Sequence, residues 1–284
     1  MSAATDTAPA IPREIKGPSA LGGGWRRFWH LLWLLSVTEF KEKYLGTVFG
    51  YVWSLARPLM LFGVLYVVFS QVFRFGGNVE NYPAMLLFNI MLFSFFSEAT
   101  TRALDAVVRE ENVVRKMQFP RMVIPLAVVL TTFFNLALNL VAVLIFFAIA
   151  SVDPTPTWLL LPVLLLLLVA FTTGVSLLLS SLYVRFRDLA LIWSVLTTVA
   201  FYGSPVLYPV EIIPSGLRFV LAINPLAPIF ELARKWIVDP GAPSLADAAG
   251  STGAAILPWV VLAAACVVGL WLFNREAPRI AEQL

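Results

Sequence analysis

Cysteine occurs once, at Cys266, and histidine once, at His30. A single thiol excludes any intrachain disulfide, and because it lies in an apolar tract it carries no reading of the redox compartment. Charged residues make up only 13% of the chain, where a soluble domain has about 25%. A surface so poor in charge would aggregate in water. None of the five lysines, Lys16, Lys41, Lys43, Lys116 and Lys235, follows a glycine. That excludes a phosphate loop ending Gly-Lys-Ser/Thr, and with it direct use of ATP through such a loop. Acids inside the apolar tracts are equally scarce. Glu98 is the only one, with Arg102 one helical turn on, so the pair reads as a structural ion pair near the membrane boundary, not the midplane acid of an ion-coupled carrier.

What is present is apolar. Hydrophobic residues are 60% of the chain, and mean hydropathy is +0.84. Six tracts of roughly bilayer-crossing length run over Leu59–Phe75, Pro83–Thr101, Met122–Ala150, Trp158–Leu182, Leu189–Val210 and Ala254–Phe273. The basic residues are distributed unevenly between the two sides these tracts define. With both termini inside, only Arg74, Arg218, Arg234 and Lys235 fall outside, and every other Lys and Arg is cytoplasmic, as the positive-inside rule demands. The net charge of +3 matters less than this asymmetry. Basic cytoplasmic segments resting on anionic lipid account for it without nucleic acid.

The expected fold is therefore an all-α polytopic membrane protein with six transmembrane helices. Residues 1–24, polar with Pro, Gly and Ala, read as a loose cytoplasmic tail, not a signal peptide. Residues 25–57 read as an interfacial amphipathic segment. Trp25, Trp29 and Trp33 recur at i, i+4, i+8, extended by Leu32, Ser36 and Phe40, and indole rings favour the headgroup level; packing of the same face as bundle core is the other reading. Residues 58–275 hold the six spans, with Pro58 suited to a first helical turn, and 276–284 form a second cytoplasmic tail. Between Arg102 and Arg121, Asp105/Arg109 and Glu111/Arg115 are acid-to-base pairs at i,i+4, which predicts a short solvated helix under the membrane. Leu217–Leu232 is apolar but short and cut by Pro225 and Pro228. It predicts a re-entrant helical pair between spans five and six, since broken backbone at membrane depth is tolerated where protein buries it or water lines it.

Several blocks resemble the transmembrane permease subunits of bacterial ABC polysaccharide exporters, of the O-antigen, teichoic acid and galactan type. They are Lys43-Tyr44-x-x-Thr47-x-x-Gly50-Tyr51-x-Trp53 with Pro58-Leu59, then Glu111-Asn112-x-x-Arg115-Lys116-Met117-x-Phe119-Pro120, Arg187-Asp188-Leu189, Ser204-Pro205-Val206-x-Tyr208-Pro209, and Asn224-Pro225-Leu226. The resemblance covers about residues 40–275, in order. It implies a transport subunit and not an enzyme, in the bacterial cytoplasmic membrane, acting as a homodimer with two copies of a separate ATPase. Its substrate would be a lipid-linked glycan. The chain itself would bind no cofactor or metal, and ATP would sit on the partner. It also implies that the segment around Asp105, Arg109, Glu111, Asn112, Arg115 and Lys116 touches the ATPase.

A glycan path needs flat aromatic faces for sugar C–H surfaces and a few hydrogen-bonding groups. Span one offers Phe62, Tyr66, Phe69 and Phe73 on one helical face, and span five offers Phe201, Tyr202 and Tyr208 beside Ser204. Asn135 and Asn139, at i,i+4 in span three, read as bridges between helices. Two other readings stay open from the residues alone: an ABC permease for a drug or small lipid, and a membrane-embedded enzyme acting on polyprenyl-linked sugars, for which the acids Asp105, Glu110 and Glu111 are the only dense group.

Overall fold

The computed structural model describes residues 24–45, 50–72, 81–111, 120–214, 223–243 and 252–278. Every regular element among them is helical: α1 (Trp25–Leu45), α2 (Gly50–Val67, continued by a π turn Val68–Val72), α3 (Tyr82–Arg109), α4 (Val123–Ile149), α5 (Leu161–Tyr183), α6 (Leu189–Gly203), α7 (Ala227–Ala233, continued by a π turn Arg234–Val238) and α8 (Thr252–Glu276). Five helices are long and apolar enough to cross a membrane: Gly50–Ser70, Tyr82–Arg109, Val123–Ile149, Pro156–Tyr183 and Ala255–Glu276. The chain is thus a helical membrane protein of several spans. The fifth apolar tract instead forms the 15-residue α6, about 22 Å long, against a hydrocarbon core of about 30 Å.

α3 is the central post. Its most apolar stretch is 78% buried, against 11% for α2 and 22% for α8. Met85–Leu92 is sealed on all sides, and Phe88, Phe93 and Phe96 meet Phe147, Phe201 and Phe171 from α4, α6 and α5. Among lipid tails such a core is held by packing and not by exclusion of water. α5 and α8 cross in backbone contact. A Cβ on Gly269 would lie 2.0 Å from the Gly174 carbonyl oxygen, and one on Gly174 would lie 2.5 Å from Cys266 Cα. Only glycine allows that approach.

The two ends of the bundle are distinct. At one end Phe28 and Leu32 of α1 pack with Ala103 and Val107 of α3, Val123 and Ala127 of α4, Leu177 of α5 and Phe273 of α8, and Arg121 donates to the carbonyl of Ala277. At the other, Trp158 Nε1 donates to the Ile237 carbonyl at 2.8 Å and Tyr82 to that of Leu207 at 2.8 Å. The segment ends that charge asymmetry assigns to a common side therefore do lie together.

Three local features differ from the sequence expectation. α2 begins at Gly50, so Pro58 lies inside the helix and not in its first turn, freeing one carbonyl from the helical ladder. α3 runs unbroken to Arg109, because nothing between Glu98 and Arg109 stops a helix and the Asp105–Arg109 pair extends it; the separate helix expected there is, as far as Arg109, the last turns of span two. On α1 the apolar face divides. Phe28, Leu32 and Ser36 are buried against the bundle, while Trp25, Trp29 and Trp33 stay exposed, apart from the edge of Trp33 against Phe134. Of the expected re-entrant pair, 217–222 lies outside the described residues; its remainder includes α7, which buries Pro228, Ile229 and Phe230.

Candidate functional site

Charged groups gather where α1, α3 and α4 meet. Lys43 of α1 reaches the Glu98 carboxylate. Arg102 lies between Glu98 at 3.6 Å and Glu39 of α1 at 3.8 Å. From α4, Asn135 donates to Glu98 at 3.4 Å and Thr131 to Glu39 at 3.4 Å, and Ser54 of α2 donates to Asn135 at 3.3 Å. The pair foreseen at Glu98 and Arg102 is thus the centre of a network joining four helices, and Asn135 does bridge helices. Glu39 is absent from the sequence expectation, and Lys43 enters it only as the start of a family block and not as a partner of Glu98. Their i,i+4 spacing on α1 was the available signal.

Further along α3, Arg109 pairs with Asp105 at 3.0 Å and also donates to the Arg102 carbonyl at 3.0 Å. Glu111 is half-buried just beyond. Asn112, Arg115 and Lys116 lie outside the described residues, as does Phe73.

At the opposite end α6 stops at Gly203, and the chain turns through Ser204-Pro205-Val206-Leu207. A helix that ends inside the bundle exposes carbonyls that need donors. Asn89 of α3 donates to Pro205 at 3.2 Å, Tyr82 to Leu207, and Asn224 to the Gly203 carbonyl at 3.0 Å and Ser204 Oγ at 2.8 Å. Tyr208 turns back to donate to the Tyr202 carbonyl at 2.9 Å. The one asparagine in the middle of the Pro83–Thr101 tract was the sequence signal for this clamp, and it went unread.

The candidate path rings divide between these surroundings. Phe62 and Tyr66 stack at 5.7 Å, Phe62 meets Phe146 of α4 edge-on at 5.5 Å, and Phe69 packs beside them against the core. The open face of α2 is instead Met60, Val64 and Val67. Phe201 is buried against Phe93 at 5.0 Å. Tyr202 is 59% exposed, and Tyr208 is half-buried beside it. No group of three His, Cys, Asp or Glu side chains able to hold a metal occurs among the described residues.

Residues 30–238 match the family described as ABC-2 type transporter. The chain is 30% identical over 198 residues to the O-antigen export system permease protein RfbA of Klebsiella pneumoniae, covering 69% of this chain and 76% of the relative. It is 29% identical over 262 residues to the protein of the same name from Myxococcus xanthus, covering 89% of this chain and 95% of that one.

Proposed function

Because this chain belongs to the ABC-2 type transporter family, we propose that it is the membrane permease of an ATP-driven exporter that carries a lipid-linked cell-surface polysaccharide out of the cytoplasm. The observation that carries this reading is the match to an O-antigen export permease along 95% of that relative's length. Such a subunit moves its substrate without hydrolysing ATP, which falls to a separate chain.

Two copies of the permease form the pathway, since among the described residues α3 occupies the centre of the bundle, which favours a path at a twofold interface. Both termini lie in the cytoplasm of a bacterial inner membrane, by the charge asymmetry. α6 with the turn after it makes the sixth crossing. The described part of the expected re-entrant stretch, 223–232, belongs to a segment that dips back into the membrane without crossing it. The ATPase docks on the end of α3 and the segment after it, through Asp105, Arg109, Glu111, Asn112, Arg115 and Lys116. The continuity of α3 supports this arrangement: one helix joins Arg109 at the docking end to Tyr82 and Asn89, which hold the turn after α6. A tilt imposed at one end is delivered at the other. Phe62, Tyr66, Phe69, Phe73, Phe201, Tyr202 and Tyr208 are the proposed path, with Tyr202 meeting sugar directly and Phe201 holding it in place.

Depletion of the chain should leave the polymer inside the cell, with its surface amount falling at least about tenfold, and affinity capture of the chain should recover an ATPase with a phosphate loop. Reversing charge at Glu111 and Arg115 should weaken that capture. Normal surface polymer in depleted cells, accompanied by retention of a drug or a small lipid, would replace this reading with another substrate class.

A further inference from the structure

A cavity of about 360 Å³ opens between α1, α3 and α4, walled by Glu39, Glu42, Lys43, Arg102, Arg109 and Glu110, with Ala106, Ile124 and Val128 as its apolar side. Its depth follows from α3. Arg102 stands twenty residues after Tyr82, about 30 Å along the axis, which is the thickness of the hydrocarbon core. With Tyr82 at the far edge of the hydrocarbon, residues 102–110 reach the level of lipid headgroups, and so does the cavity they wall.

The charge balance selects the occupant. Lys43, Arg102 and Arg109 are already engaged by Glu98, Glu39 and Asp105. Glu42 and Glu110 make no ion pair among the described residues, so the cluster carries more negative than positive charge. A bare anion entering it would meet carboxylates on several sides. Burial pushes the Glu39 carboxyl up from its ordinary value, outweighing the opposing pull of Arg102 and Thr131, so this group gains from a further cation. Positive charge is on offer as well. Arg102 Nη1 stands 3.6 Å from the Glu98 carboxylate, too far for a hydrogen bond, and is buried without an acceptor, so the Arg102 charge is only partly met and its side chain can turn toward an oxygen in the cavity.

We propose that this cavity binds the headgroup of a phospholipid that carries both charges, of the phosphatidylethanolamine type. Its ammonium sits among Glu39, Glu42 and Glu110, its phosphate faces Arg102 and Arg109, and its glycerol end leaves along Ala106, Ile124 and Val128. A bound lipid here fills the joint between the interfacial helix and the central post, and so stiffens it. The inference needs only that the chain spans a membrane, and it stands apart from the nature of the exported substrate.

The test is lipid retention by the full-length chain. The protein is extracted from nanodiscs of equal parts phosphatidylethanolamine and phosphatidylglycerol, and the lipid still bound is weighed by native mass spectrometry. Wild type should keep phosphatidylethanolamine over phosphatidylglycerol by about tenfold, the ratio that 1.4 kcal/mol of preference gives. The Glu42→Gln/Glu110→Gln variant alters two exposed side chains, folds as wild type does, and should bring the ratio to within about twofold. Asp153→Asn, exposed at the opposite end, should leave it unchanged. Equal retention of the two lipids by wild type, or an unchanged ratio in the double variant, would overturn the proposal. So would loss of the bound lipid on adding the ATPase subunit together with weaker capture of that subunit by the double variant, which would make the occupant a basic protein side chain.

Discussion

Phe201 and Tyr202 are neighbours in the chain whose rings touch edge-on at 5.2 Å, yet one is buried and the other exposed. Phe201 packs edge-on against Phe93 in the core, whereas Tyr202 offers most of its ring outward and has its carbonyl held by Tyr208. Their substitutions should therefore part company. Phe201→Ala opens a cavity and should cost about 2 kcal/mol or more of stability, read as a lower unfolding temperature in detergent. Tyr202→Ala should leave that temperature within a degree or two while surface polymer per copy of permease falls several-fold. If Tyr202→Ala lowers the unfolding temperature as much as Phe201→Ala does, or if export is full in a Tyr66/Phe69/Tyr202 triple alanine variant, the aromatic path is wrong.

Among the elements, α5 and α8 depend on backbone contact that no other residue permits. At Gly174 and Gly269 an added Cβ would strike backbone, which cannot rotate away as a side chain would. Small residues are the usual means of close approach between helices in lipid, where apolar burial gives no driving force of its own. Gly269→Ala should cost on the order of 1–3 kcal/mol by overpacking and should loosen α8 before α3. Hydrogen exchange along α8, compared with α3 as an internal reference, reads this out. Gly63 has open space around it, and Gly63→Ala should be neutral.

For the whole molecule the decisive quantity is orientation. Phe28, Ala103, Val123, Leu177 and Phe273 pack together at one end of the bundle, and the proposed topology puts that end in the cytoplasm because the basic residues favour it. In a Cys266→Ala background, a cysteine at Asp153 should react with an impermeant maleimide added to intact cells, and cysteines at Lys41 or Arg185 should react only after lysis. All three positions are exposed, so silence would come from sidedness and not from burial. Labelling of Lys41→Cys in intact cells would invert the topology and move the proposed ATPase surface to the wrong side of the membrane.

Apolar tracts of bilayer length and the one-sided placement of Lys and Arg were enough to read a helical, multi-span membrane protein, because lipid forces backbone hydrogen bonds to close within each segment. The spacing of Asp105 and Arg109, and of Glu98 and Arg102, was legible for the same reason: partners one turn apart on a helix need no knowledge of the fold. Other contacts were decided only in three dimensions. Lys43 and Glu98 are 55 residues apart, and Tyr82 and Leu207 are 125 apart. Nothing in either local sequence specifies the other. Which ring of a stripe turns inward, as with Phe201 against Tyr202, depends on what the neighbouring helix leaves room for. Local chemistry sets the elements and their depth; side-chain packing between distant elements sets the network, the clamp and the cavity.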